Sequence, residues 1–221
     1  INFASGTTTT LGGGLTLIGA DFSIVGAITG GSNNVAIAES QSSTSLALGS
    51  AAGSLLTDTE LDQISTTGII TIGQAMTAGT NGASLAAVQT LTSGAITTDG
   101  LTQSNLNLVS NSTVSLGTTT LTGNLSVTSA GVITQTGALA ITGTTTLAAG
   151  AANDITLSTA TNNFTGAVAI TTGKDVTLVD ADTIDLGAST VSGDFAVTAT
   201  AGGDITDSGV LAITGTSTFT T

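Results

Sequence analysis

The chain is 221 residues long with a net charge of −13, one basic side chain, Lys174, against fourteen acids, and no His, Cys, Arg, Trp, Tyr or Pro. That inventory excludes thiolate and disulfide chemistry, electrostatic capture of nucleic acid, which needs a Lys/Arg patch to release counterions, and membrane insertion, since no apolar run reaches the ~18 residues of a spanning helix and the aromatic girdles of a barrel are missing. A 40% apolar content separates the chain from disordered ones, while 48 Thr, many Val and Ile and the absence of Pro favour strands over helices.

Taken from the beginning, the chain gives Leu15/Leu17, Phe22/Ile24, Ala27/Ile28 and Val35/Ile37 as short inward sets broken by Gly. "LLTDTELDQIS" departs from this pattern. Thr57 followed three residues later by Glu60 is a capping box, with Leu56 placed to staple onto Leu61. The spacing predicts one or two helical turns from Asp58 to Ile64 at a coil corner, either covering an apolar edge or forming a docking knob. "GASLAAVQTLTSGAI", residues 82–96, has some helical Ala/Leu spacing, but its β-branched ending and flanking Gly favour another irregular coil.

The second half is more regular. "LAITGTTTL" from Leu139 returns 72 residues later as "LAITGTSTF" from Leu211. In the first copy Leu139, Ile141, Thr145 and Leu147 fall on one face, the period of a strand. Short phrases of the same kind, "NLSVT" from Asn124, "DITLS" from Asp154, "AVAIT" from Ala167, "DVTLV" from Asp175, "TIDLG" from Thr183, "DFAVT" from Asp194 and "DITDSG" from Asp204, place apolar residues two apart between Gly, Asn or Asp. These predict strands of about five residues closed by turns that use the permissive backbones of Gly and Asn.

"GNLSVTSAGVITQTGALAITGTTTL" from Gly123 aligns with "GDFAVTATAGGDITDSGVLAITGTSTF" from Gly193, with one two-residue insertion near Ala201 to Gly203 that marks a corner. Asp154, Asp175 and Asp194 open strands 21 and 19 residues apart. A coil of about 20–25 residues cannot bury an apolar face alone, but stacked coils share a continuous core. The fold expected is all-β, a parallel β-helix or β-solenoid. It forms a single segment over residues 1–221, less regular over 1–110 and built on a repeat of about 70 residues, read as three coils, over 111–221. Outside the core, stacked Thr can bond across strands and stacked Asn can form amide ladders.

Candidate chemistry is sparse. Without His, Arg, Tyr or Cys, the usual general bases, oxyanion donors and sugar-stacking rings are missing, so the chain reads as no enzyme and without a cofactor. Seven acids lie between Asp175 and Asp207. Asp180, Asp182 and Asp185 offer hard oxygen ligands for a weak calcium site, without EF-hand or calcium β-roll spacing. Solvated carboxylates that maintain solubility are the alternative.

"INFASGTTTTLGGGLTLIGADFSI", "LTDTELDQI" followed by "GIITIG", and the run from "GNLSVTSAGVITQTG" through "NNFTGAVAITTGKDVTL" resemble the repeat regions of large filamentous-haemagglutinin-like exoproteins of the two-partner-secretion type. The resemblance covers nearly the whole chain. It implies a right-handed parallel β-helical shaft, exported by a Gram-negative-type bacterium to the medium or the cell surface and acting in adhesion, aggregation or biofilm matrix. The Asn-Pro-Asn-Gly motifs of that family's secretion domain need Pro and have no place here. Together with a start at Ile1 that lacks an initiator Met, this reads as a shaft segment of something longer. The partners expected are the chain itself, by end-to-end stacking or continuation of a longer polypeptide, and a cell-surface or matrix component. The competing readings are an ice- or ligand-binding solenoid displaying outward Thr, and a functional amyloid.

Overall fold

A computed structural model describes residues 1–40, 45–73 and 96–221. Its strands pair only in parallel and wind about nine stacked turns of a β-solenoid. One face is a nine-stranded sheet from Leu15–Ile18 to Ile205–Asp207, and a second is an eight-stranded sheet from Leu46–Gly49 to Ser217–Thr220. The third face is broken. Thr8–Thr10, Ala27–Gly31 and Ile64–Thr66 form one short sheet, and Thr119–Leu121, Leu139–Ile141 and Asn163–Phe164 form another. The expected parallel β-helix is the fold.

Every quoted phrase of the second half lies on a strand, and the inward sets stack by residue type. Val114, Ile133, Ile155, Val176 and Phe195 follow one another through the registers of the eight-stranded sheet, each at most 1% exposed. Leu108, Val127, Leu147 and Ile170 do the same in the nine-stranded sheet. Each such burial contributes about 1.5–3 kcal/mol, and together these columns belong to one core cluster running from Leu17 to Val197. No aromatic belt is needed. Phe164 and Phe195 are the largest fully buried side chains, and Phe195 meets Phe219 edge-on at 6.0 Å between ring centres.

Leu139 to Leu147 proves to be two strands rather than one. Leu139–Ile141 lies on the third face and Thr145–Ala148 in the nine-stranded sheet, with the corner at Gly143. Inward and outward positions still alternate straight through the corner, as the sequence pattern has it. At Gly143 the chain passes so close to the coil beneath that a Cβ would sit 2.6 Å from the Gly123 carbonyl oxygen. Only a residue without a side chain fits there.

The 70-residue repeat is not three coils. Ten strand-and-corner steps separate Leu125–Ser129 from Phe195–Ala199, and three steps complete a coil. The second copy therefore starts one face further round. Leu125–Ser129 and Thr145–Ala148 lie in the nine-stranded sheet, whereas their counterparts Phe195–Ala199 and Ser217–Thr220 lie in the eight-stranded one. The repeat is whole in units of about seven residues, a strand plus its corner, while register offsets between coils of this half range from 18 to 24. The insertion after Ala199 is a turn, as expected, with Gly202 at φ +74°.

The capping box forms. Thr57 Oγ1 accepts from the Glu60 backbone N–H at 3.2 Å, and Glu60 Oε2 accepts from the Thr57 N–H at 3.0 Å. The helix is shorter than its predicted span: Asp58–Leu61 is helical, and Ile64 already opens the strand Ile64–Thr66. Pairing of Ile64 with Ile28 in the coil beneath takes the chain out of the helix. The expectation for 82–95 lies outside the described residues, and at Ile96 a strand begins.

Candidate functional site

The outer surface of the coils carries hydroxyls and amides in ladders. Asn105 and Asn124 each stand one residue before a strand of the nine-stranded sheet. Asn105 Oδ1 accepts the backbone N–H of Asn124 at 2.9 Å, and Asn124 Oδ1 accepts that of Thr144 at 2.8 Å. Each side chain thus satisfies a corner amide of the next coil: the Asn side chains stack, but their oxygens bond backbone N–H groups rather than one another as in the expected amide ladder.

Seventy residues on from Asn105 and Asn124 stand two acids, Asp175 and Asp194, with Asp154 one coil before them. Asp154, Asp175 and Asp194 precede successive strands of the eight-stranded sheet, and their Oδ1 atoms accept the N–H groups of Asp175, Asp194 and Thr216 at 3.3, 2.9 and 2.8 Å. Stacking carboxylates is electrostatically unfavourable, and Lys174 answers it. Its Nζ lies 2.7 Å from Asp175 Oδ2 and 3.7 Å from Asp154 Oδ1. The bond from Lys174 and the N–H of Asp194 hold Asp175 below the usual carboxylate range, and the same acids raise Lys174. Asp99 is likewise lowered, first by the hydroxyl of Ser50 and then by the N–H of Thr118.

The three residues with calcium-ligand spacing do not point one way. Asp180 is turned inward and fully buried, with Oδ2 accepting the Phe164 N–H at 2.8 Å and Oδ1 that of Asp182 at 2.9 Å. Burial, opposed by those two N–H groups, raises its pKa above the usual value. Asp182 is exposed and meets Asn163 Nδ2 at 3.5 Å, while Asp185 accepts from Ser208 Oγ at 2.7 Å. Among the described residues no group of three or more Asp, Glu, His or Cys is placed to hold a metal ion.

Beside Asp180 lies an amide pair, Asn162 buried and Gln135 half-buried, that residue type alone did not single out. Asn162, fully buried, accepts from Gln135 Nε2 and from the Leu139 N–H, and donates to the Val179 carbonyl at 3.0 Å. It joins three successive coils from inside. Its signal in the sequence is the Asn162-Asn163 pair at the start of "NNFTG", where one amide faces in and the other out.

Outward positions of the eight-stranded sheet include a single file of hydroxyls: Thr97, Ser115, Thr134, Thr156, Thr177 and, after Ala196, Thr218. Residues 103–171 and 173–221 match a family described as repeats of unknown function (DUF5649). The chain belongs to this family. No curated protein and no solved structure matches it. The matched residues contain both corner ladders, the Asn162–Gln135 amide pair and Asp180. The helix and the less regular coils precede the matched residues.

Proposed function

We propose that the chain is a non-catalytic shaft segment of a bacterial filament, displayed at or released from the surface of a Gram-negative-type cell, where it holds adhesive or matrix-forming parts away from the envelope. The observation that carries this reading is the uniform parallel ladder. One core and two long parallel sheets pass through the described coils, so length is gained by adding coils. A surface of hydroxyls, amides and acids with one cation suits an exported rod that must stay soluble. The sequence resemblance to filamentous-haemagglutinin-like shafts points the same way. Stacking continues end to end, either between copies or within a longer polypeptide.

The single file of Thr on the eight-stranded sheet favours a second reading, a solenoid that binds ice. One hydroxyl column gives a line rather than the two-dimensional lattice that such a surface needs, so the shaft reading is preferred.

Cryo-electron microscopy of the cells that make the protein tests the proposal. Rods with rungs about 4.8 Å apart that project from the envelope or lie in the surrounding matrix are expected. Compact particles confined to the cell interior would overturn it, and thermal hysteresis in purified material would favour the ice-binding alternative.

A further inference from the structure

The third face is interrupted partway along the shaft. Among the described residues Ile64–Thr66 pairs only with Ala27–Gly31 beneath it, and the next short sheet begins at the bridge of Leu101 to Thr119. Between them is a groove of about 420 Å³, lined in part by Asp62, Ile64, Ser65, Thr66, Thr102 and Gln103. That is the size of an ordinary ligand site.

The lower bank of the groove is bare backbone. The Ile28 N–H donates to the Gln63 carbonyl and the Thr67 N–H to the Gly31 carbonyl, both at 2.8 Å, so residues 63 and 67 turn toward the coil beneath. Backbone groups along a strand alternate sides, and those of Ile64 and Thr66 therefore face the groove. Among the described residues nothing bonds them. On the upper bank Leu101 bonds upward, to Thr118 at 3.1 Å and from Thr120 at 2.7 Å, which turns Thr102 downward. The Thr102 N–H donates to Asp58 Oδ1 at 3.1 Å, and its carbonyl has no partner among the described residues. The helix, tied to the coil below where Glu60 Oε1 accepts the Ile24 N–H at 3.3 Å, thus stands in for one end of a missing rung. The rest of the rung is open.

Alternating N–H and C=O groups at the strand rise of about 3.3 Å per residue are matched by another extended backbone, and an unpaired edge is a template for such addition. Charge narrows the occupant. Asp62 lines the groove at an exposed position, its Oδ1 bonded by Thr102 Oγ1 at 3.3 Å and Gln103 Nε2 at 3.4 Å, its Oδ2 without a partner among the described residues. Asp58 stands four residues before it, a spacing at which like charges repel. The chain's single basic side chain is engaged with Asp154 and Asp175, so a second copy brings no free Lys or Arg. The complementary occupant is a different chain that does. We propose that Ile64–Thr66 and Asp62 form a docking edge for an extended, Lys- or Arg-bearing segment of a second protein, which completes the interrupted third face as a parallel strand.

Fluorescence anisotropy on the full chain, in about 0.15 M salt to screen diffuse attraction to an acidic rod, tests the edge with three labelled probes. The first is a capped hexapeptide alternating valine and lysine, the second has glutamate for lysine, and the third is the lysine peptide with every amide N-methylated. One saturable equivalent of the lysine peptide is expected, with the other two at least roughly tenfold weaker. Asp62→Asn weakens the lysine peptide by roughly threefold, as loss of an exposed ion pair does, whereas Asp182→Asn, an exposed acid elsewhere on the rod, leaves it unchanged. Hydrogen exchange followed by NMR should slow at the Ile64 and Thr66 amides when that peptide is bound. No saturable binding, equal binding of either control peptide, parental affinity in Asp62→Asn, weakened binding in Asp182→Asn, or binding without protection of the two amides would each overturn the proposal. Protection that grows with protein concentration in the absence of peptide would overturn it too, by giving the edge to a second copy.

Discussion

Asp175 Oδ1 accepts the backbone N–H of Asp194, one coil above it, at 2.9 Å, while its other oxygen holds Lys174 Nζ at 2.7 Å. The first bond needs only an oxygen, because Asn105 makes the same bond to Asn124 with an amide. The second needs charge. Asp175→Asn is therefore expected to keep the ladder and to remove repulsion from Asp154 and Asp194, whereas Asp175→Ala leaves the Asp194 N–H without its acceptor. Urea unfolding at neutral pH should rank the two variants in that order, asparagine above alanine. Equal stability of the two variants would mean that the ladder bond contributes nothing, since both lose the Lys174 pair and only asparagine keeps the acceptor.

The same corner has a pH signature. Asp175 is held below the carboxylate value of 3.8, first by Lys174. A depressed folded-state pKa gives a contribution that is present above the unfolded value and is lost as the pH falls through the folded one. Lys174→Gln removes the leading cause. Unfolding midpoints of this variant and the parent should therefore converge on acidification below about pH 4. The effect is modest, because the pair is half exposed and screened by solvent.

Inside the core, Thr145 faces inward between Leu125 and Val168 with its hydroxyl buried and unpartnered. Val has nearly the same shape without the polar group. Leaving a buried hydroxyl unsatisfied costs about 1–3 kcal/mol, so Thr145→Val is expected to stabilise the chain by about 1 kcal/mol and to raise the melting temperature by about 2–4 °C. Differential scanning calorimetry decides, and a lower melting temperature would show that a water or a partner had satisfied the hydroxyl.

Much of this was legible because the information is local. The capping box needs only Thr57 and Glu60 at the right spacing, and period-two alternation already places Thr145 inside with Leu147. Other features depend on geometry that alternation does not carry. How many strands close a coil is set by corner angles, so the 70-residue repeat did not disclose that its second copy is rotated by one face. Asp180 is a different case. The parity that puts Val176 and Leu178 inside puts Asp180 inside too, and reading it by residue type as an outward oxygen ligand overrides that parity. The bonds that Gln103 Nε2 donates to Asp58 and Asp62 had no local signal, since those acids are 45 and 41 residues away.

Asp180 should titrate in the sense opposite to Asp175. Burial raises its pKa above 3.8 even though the Phe164 and Asp182 N–H groups favour the charged form. Between the usual value and the raised one, the folded chain holds a proton that the unfolded chain releases, so this group's contribution to stability grows as the pH falls through the folded pKa and levels off below the unfolded one. Asp180→Asn cannot titrate, and its amide can accept from only one of the two N–H groups while turning an NH₂ toward the other. The variant is therefore compared by slope, not by absolute stability. Urea unfolding at a series of pH values from 7 to 4 should show the parent gaining on Asp180→Asn as acid is added. A constant difference across that range would mean that Asp180 keeps an ordinary pKa in the fold, and that the two backbone donors fully offset its burial.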